Sequence, residues 1–142
     1  MQEIFVFGSN LRGIHGAGAA VFAVRHHGAI MGQGMGLQGN SYALPTKDHR
    51  IQTLPLQDIG RHVAAFLEFT KIRPDLLFNV TRVGCGLAGY TDEQVAPLFI
   101  NAVHGRLTNI RLPQGWRELI LTGKRGRISD EFEDAVPQFT HA

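Results

Sequence analysis

The sequence predicts an α/β fold of three layers, α/β/α, with helices on both faces of a mostly parallel central sheet. Apolar strand candidates alternate with amphipathic helix candidates along the chain. One run, residues 76–83, is nearly continuous in apolar side chains, which is typical of a parallel strand covered on both faces. In two places a glycine-rich loop separates a strand candidate from a helix candidate. The length of 142 residues suits one domain with its own hydrophobic core.

Five strands are expected where short apolar runs end at turn-forming residues. They are residues 4–7, 41–44, 76–83, 109–112 and 118–121. Three helices are expected where apolar residues recur every three or four positions. They are residues 19–24, 56–71 and 91–103.

Local signals mark the ends of these elements. Pro45 ends the second strand, and Gly28 stands where a helix C-terminus favours glycine. Thr91 and Gln94 predict a capping box at the third helix, and Pro97 predicts that its regular part starts later.

The remaining segments are expected to be irregular. Four glycines between residues 31 and 40 predict a mobile loop, which either covers a ligand as a lid or is a plain connector. Residues 1–123 are expected to form the domain and residues 124–142 a polar C-terminal tail, in which residues 130–134 form a short surface helix.

Composition excludes several classes of function. A net charge of +2 gives nucleic-acid binding little support beyond the small basic cluster at residues 124–127, which a solvated loop also explains. One cysteine rules out an intramolecular disulfide, and the seven histidines show no metal-ligand spacing, so neither a metal nor a cofactor is expected. The sequence shows no signal peptide pattern and no membrane-spanning apolar run, which predicts a cytoplasmic protein without a membrane partner.

Two glycine-rich loops, residues 8–18 and 84–90, follow predicted strands. In such loops backbone N–H groups can converge on a phosphate, so two of them predict a ligand with a diphosphate, although plain turns are the alternative. Gly84, Gly86 and Gly89 match the dinucleotide fingerprint. The acidic residue that this fingerprint requires about twenty positions later is missing at residues 108–111.

Three motifs, taken in order, resemble those of macrodomains, the ADP-ribose-binding family. They are Asn10 followed by HGAGAA, then YALPTK at residues 42–47, and GCGLAGY at residues 84–90 followed by TDEQVA. The second motif is similar to that of the branch that removes terminal ADP-ribose with a lysine nucleophile. The same blocks also resemble a group of short phage and prophage proteins.

The resemblance implies that the ligand is ADP-ribose or a related NAD-derived nucleotide. The implied ligand-binding residues are Ser9, Asn10, Gly16, Ala17, Gly18, Gly84, Cys85, Gly86, Leu87, Ala88, Gly89 and Tyr90. The implied catalytic residues are Lys47, Asp48 and Asn10. A hydrolase of this type removes ADP-ribose from modified protein carboxylates or from nucleic acid, with the lysine amine attacking the distal ribose.

An alternative to hydrolysis is a phage-type module that sequesters an NAD-derived signalling nucleotide. It is favoured by Ala88, which stands where the lysine branch has an acid. Individual residues also have structural interpretations. Lys47 is otherwise a surface lysine, Asn10 closes an Asx turn, and Cys85 is a packed loop residue rather than a nucleophile. Asp92 supplies either an acid or a helix N-terminal charge.

Overall fold

The structure, a computed structural model, describes residues 1–123 and Phe132. Its strands are β1 (Gln2–Asn10), β2 (Gly36–Gln38), β3 (Ser41–Lys47), β4 (Leu76–Val80) and β5 (Ile110–Arg111). They form one five-stranded sheet in the order β2-β3-β1-β4-β5. Every neighbouring pair is parallel except β2 and β3, which are antiparallel. The prediction of an α/β fold with a mostly parallel sheet is therefore confirmed.

The helices are α1 (Gly18–His26), α2 (Leu56–Ile72), α3 (Asp92–Val95), α4 (Ile100–His104) and α5 (Trp116–Thr122). A 3-10 turn, Ala96–Phe99, joins α3 to α4 and contains Pro97, whose ring cannot continue the α-helical hydrogen bonds. The predicted capping box is present, because Thr91 and Gln94 each accept a hydrogen bond from the other's backbone N–H. Gly28 follows α1 with a φ of 72°, as expected of a helix C-terminus.

Three predicted elements are corrected. Residues 118–121, predicted as a strand, belong to α5, where Trp116 and Leu119 lie one helical turn apart and are both buried. The strand expected to stop at Pro45 continues through it to Lys47. Pro45 pairs with Ser9 next to a register shift between Ser9 and Asn10, and such irregularities are positions where a strand tolerates proline. The segment at residues 31–40, expected to be wholly irregular, contains β2.

Alternate side chains of β1 contribute to two hydrophobic clusters, as the two-residue period of a strand requires. Ile4 and Val6 join the larger cluster, which includes side chains from α2, α4 and α5 and the 3-10 turn between α3 and α4. Phe7 joins a smaller cluster with Ala20 and Ala23 of α1. The central strand is thus fixed by packing on both of its faces.

Because β1, β3 and β4 run in parallel, their carboxyl ends meet at one edge of the sheet, where Asn10 pairs with Lys47. No helix in the described part of the chain has the length and apolar character needed to cross a membrane. The expected tail at residues 124–142 and its surface helix lie outside the described residues, except for Phe132, which forms a β-bridge with Pro113.

Candidate functional site

A cavity of about 400 Å³ opens at the carboxyl ends of β1, β3 and β4. Three segments line it, and each follows or ends one of these parallel strands. The lining residues are Gly8, Ser9, Asn10, Ile14, Gly16, Ala17, Gly18, Ala19 and Ala20, then Thr46, Lys47 and Ile51, then Thr81, Arg82, Val83, Gly84, Gly86, Leu87 and Ala88. The two glycine-rich loops and the lysine motif therefore share one cavity, at the edge of the sheet where α/β folds bind ligands.

The first loop brings the N-terminus of α1 to the cavity. Gly18 begins the helix with a φ of 59°, and the capping position is Ala17, whose side chain cannot accept a hydrogen bond. The first helical turn contains no acidic residue. The N–H groups at the start of a helix have no partner inside the helix, and they carry its positive partial charge. This end of α1 is therefore suited to an anion.

Two predicted ligand-binding side chains hold the first loop together. The Asn10 carboxamide accepts a hydrogen bond from the N–H of Ile14 at 3.0 Å and donates one to its carbonyl at 2.8 Å. The Ser9 hydroxyl donates to the carbonyl of Gly34 at 2.6 Å. These bonds favour the turn-forming interpretation of Asn10. The carboxamide of Asn10 still has a second hydrogen and a second lone pair for a ligand.

The glycine-rich segment at residues 32–40 supports the first loop from outside the cavity. None of its residues is among those that line the cavity. The buried His15 ring places Nε2 at 3.0 Å from the carbonyl of Gln33 and 3.2 Å from Oε1 of Gln38. A Cβ on Gly34 would collide with the carbonyl of Asn10. This geometry gives the segment a supporting role and does not favour the lid interpretation.

The glycines of the second loop meet different requirements. Gly84 and Gly89 have φ values of 79° and 90°, a region of backbone conformation that residues other than glycine rarely adopt. Gly86 is not in that region, and a Cβ built on it would have no atom within 4 Å. Gly86 also lines the cavity. The fold therefore does not require glycine at this position, whereas a ligand that approaches the backbone closely does.

The second loop is tied to the segment that follows β3. The Tyr90 hydroxyl donates to the carbonyl of Leu54 at 2.7 Å, and the Thr53 hydroxyl donates to the carbonyl of Ala88 at 2.9 Å. Tyr90 packs against the larger hydrophobic cluster and does not line the cavity; nor do Cys85 and Gly89. No sequence pattern predicts these two bonds, because their partners lie 36 and 35 residues apart in the chain.

Among the residues that the structure describes, Lys47 and Arg82 are the charged ones that line the cavity, and none of the lining residues carries a carboxylate. Arg82 donates two hydrogen bonds to Asp92, at 2.9 and 2.7 Å. Asp92 is buried and also accepts a bond from the indole N–H of Trp116 at 2.7 Å. Asp92 therefore anchors Arg82, which belongs to none of the motifs that the sequence shows. For Lys47, the described residues provide no ion pair.

Two other predicted residues have structural surroundings. Asp48 lies outside the cavity lining, and its carboxylate accepts hydrogen bonds from the backbone N–H groups of Arg50 and Gln52 at 2.8 and 3.0 Å. The bond from Gln52 contributes most to lowering the pKa of Asp48. Burial raises the pKa of the Cys85 thiol to about 12, so this thiol stays protonated at neutral pH. Cys85 therefore has the properties of a packed loop residue.

Within the described residues, no group of three or more His, Cys, Asp and Glu side chains could hold a metal ion. Comparison of the chain with models of protein families, with curated proteins and with solved structures found no match. The chemistry of the site is therefore argued from its own geometry.

Proposed function

We propose that this protein binds ADP-ribose or a related NAD-derived nucleotide, with the diphosphate held between its two glycine-rich loops. The observation that carries the proposal is one cavity that joins both loops, the N-terminus of α1 and Lys47, and that has no carboxylate among its described lining residues. Backbone N–H groups and a lysine are the donors that a diphosphate requires. The cavity volume of about 400 Å³ lies in the range of small-molecule sites.

The two loops lie close enough together to contact one ligand from both sides. A Cβ on Gly18 would lie 3.8 Å from a terminal methyl carbon of Leu87 in the opposite loop. The division of β1 side chains between two clusters supports a macrodomain-like, three-layer α/β/α arrangement around the site. In this proposal α1 forms one outer layer, and α2, α4 and α5 form the other.

The position of Lys47 supports a second candidate function, the hydrolytic release of ADP-ribose from a modified protein or nucleic acid. Lys47 lines the cavity, where a neutral amine on its side chain could attack the distal ribose. Against turnover, Asp48 is engaged in a turn, and no carboxylate among the described residues lines the cavity to move a proton. This favours binding without turnover, as in a module that sequesters an NAD-derived signal.

Calorimetry with ADP-ribose on the wild type and on the variant Gly86→Ala tests the binding proposal. Neither φ nor neighbouring atoms oppose this change, so the variant is expected to fold normally while its methyl group occupies ligand space. We expect its affinity to fall at least about tenfold, since a misplaced phosphate loses charge-assisted hydrogen bonds. The matched control is Gly60→Ala on α2, where the added Cβ makes an ordinary contact at 3.4 Å with Leu98.

Absence of binding by the wild type, or wild-type affinity in Gly86→Ala, would overturn the proposal. Long incubation of ADP-ribosylated protein and DNA with the protein, followed by chromatography, separates binding from hydrolysis. Sequestration predicts that the modification is recovered intact. Release of ADP-ribose by the wild type but not by Lys47→Ala would establish the hydrolase instead.

A further inference from the structure

A second groove adjoins the proposed diphosphate site, beside α1. Its volume is about 940 Å³. The groove and the cavity share lining residues at the two loops, namely Gly18, Ala19, Thr81, Arg82 and Gly86. The two spaces therefore meet where the diphosphate is proposed to bind, and a ligand held there can extend into both.

One side of the groove is aromatic. Phe22 of α1 is 48% exposed, and its ring centroid lies 5.4 Å from that of Phe5. Phe5 in turn stacks on His27, with ring centroids 4.6 Å apart and planes 8° apart. This stack fixes Phe5. The Phe22 ring is also held by His26 and His27, whose ring centroids lie 4.5 and 5.4 Å from its own. The exposed Phe22 ring is a surface on which a flat, apolar ring can stack.

Besides Arg82, which it shares with the cavity, the groove is lined by a carboxylate, that of Glu3. Asn79 donates a hydrogen bond to Oε1 of Glu3 at 2.7 Å, and Arg111 donates to the same oxygen at 3.3 Å. The Glu3 side chain remains 55% exposed, which leaves its carboxylate able to accept further bonds. A carboxylate repels phosphate and attracts amino donors. Near Glu3, the groove therefore suits a part of the ligand that is uncharged and carries an amino group.

The separation between the two spaces also suits one nucleotide. Phe5 and Gly8 are three residues apart on β1, and Asn79 pairs with Phe5. A strand rises about 3.3 Å per residue, so Phe5 on the aromatic side of the groove lies about 10 Å along β1 from Gly8, where the first loop begins. This distance is comparable to the length of a nucleoside.

We propose that the groove binds the nucleobase of the nucleotide, with the base stacked on Phe22 and an exocyclic amino group donating to Glu3. The ligand class is then a diphosphate nucleotide of an amino-bearing base, such as adenine. This inference rests on the proposed function, because the diphosphate fixes where the base begins. It assigns to Phe22, Glu3 and Asn79 a role in choosing the base.

Calorimetry on the full chain with ADP-ribose and with its hypoxanthine analogue, which lacks the amino group, tests this inference. We expect Phe22→Ala to weaken ADP-ribose binding about tenfold, in line with the loss of one stacked base. Phe22→Leu keeps apolar bulk on α1 and is expected to weaken binding with an unchanged melting temperature. Ile100→Ala on α4, equally an exposed apolar residue at 39%, is the control and should bind like the wild type.

The wild type is expected to bind ADP-ribose more tightly than the hypoxanthine analogue, and Glu3→Gln to reduce that preference. Equal affinity for the two ligands, together with unchanged binding by both Phe22 variants, would overturn the base site while the Gly86→Ala effect still upheld the diphosphate site. No binding by the wild type would overturn both. A smaller sedimenting mass in Phe22→Ala with unchanged affinity would make the groove a self-association surface and overturn the inference.

Discussion

Replacement of Asp92 is the sharpest test of how the second loop is held in place. This carboxylate is 2% exposed and accepts two hydrogen bonds from Arg82 and another from Trp116. Asp92→Ala would leave the indole N–H of the fully buried Trp116 without an acceptor, which costs about 1–3 kcal/mol. The Arg82 side chain is 34% exposed, so solvent screening reduces the value of its ion pair to about 1 kcal/mol.

The two contributions together predict a loss of about 2–4 kcal/mol in the free energy of unfolding. For a chain of this length, that corresponds to a decrease in melting temperature of about 6–12 °C. The assay is thermal unfolding followed by circular dichroism. ADP-ribose affinity is then measured well below the transition temperature. We expect Asp92→Ala to lower this affinity too, because Arg82, which Asp92 holds in place, lines the cavity.

Glu93→Ala is the matched control, since Glu93 is the other acid in the first turn of α3 and is exposed. If Asp92 served only as a helix N-terminal charge, both replacements would cost the same, less than about 1 kcal/mol. Similar melting temperatures for the two variants would therefore refute the anchoring role. Trp116→Phe removes only the indole donor and should cost less than Asp92→Ala, provided that the core retains its packing.

Two further predictions concern pH and local exchange. Burial lowers the pKa of His27 and of His62 below 6.5, so near this pH the folded state binds fewer protons than the unfolded state. The melting temperature should therefore fall as the pH is lowered from 7.5 to 5.5, and it should fall less in His27→Asn. A melting temperature that stays constant or rises over this range would contradict the prediction. Amide hydrogen exchange in residues 32–40 should be slow before ligand is added and unchanged afterwards, because the N–H groups of Gly32 and Asn40 donate to the carbonyls of Gly13 and His27. Strong protection of this segment by ADP-ribose would instead support the lid interpretation.

The sequence predicted well what neighbouring residues determine. The glycines and short apolar runs located both loops, and the Thr91 and Gln94 pair located a helix start. Prediction from the sequence failed where contacts with residues far away in the chain determine the structure. Residues 118–121 pack as a helix because Trp116 and Leu119 both enter the larger cluster, and a four-residue apolar run alone does not distinguish this from a strand.

The candidate site shows the same division. Asn10 and Lys47 meet at one edge because their strands are parallel, and a mostly parallel sheet was expected from the sequence. The bonds that fix the site did not, because they join residues far apart in the sequence, such as Trp116 with Asp92 and Tyr90 with Leu54. A hydrogen bond of this kind leaves no periodic signal in either segment.

The glycines provide the last step in separating structure from function. In the sequence all of them look alike, but the structure assigns them different causes. Gly84 and Gly89 are required by their positive φ, and Gly34 is required because a side chain would strike the backbone of Asn10. Gly86 has neither constraint, yet it lines both the cavity and the groove. It is therefore the position where an effect on binding can be measured with the least interference from an effect on folding.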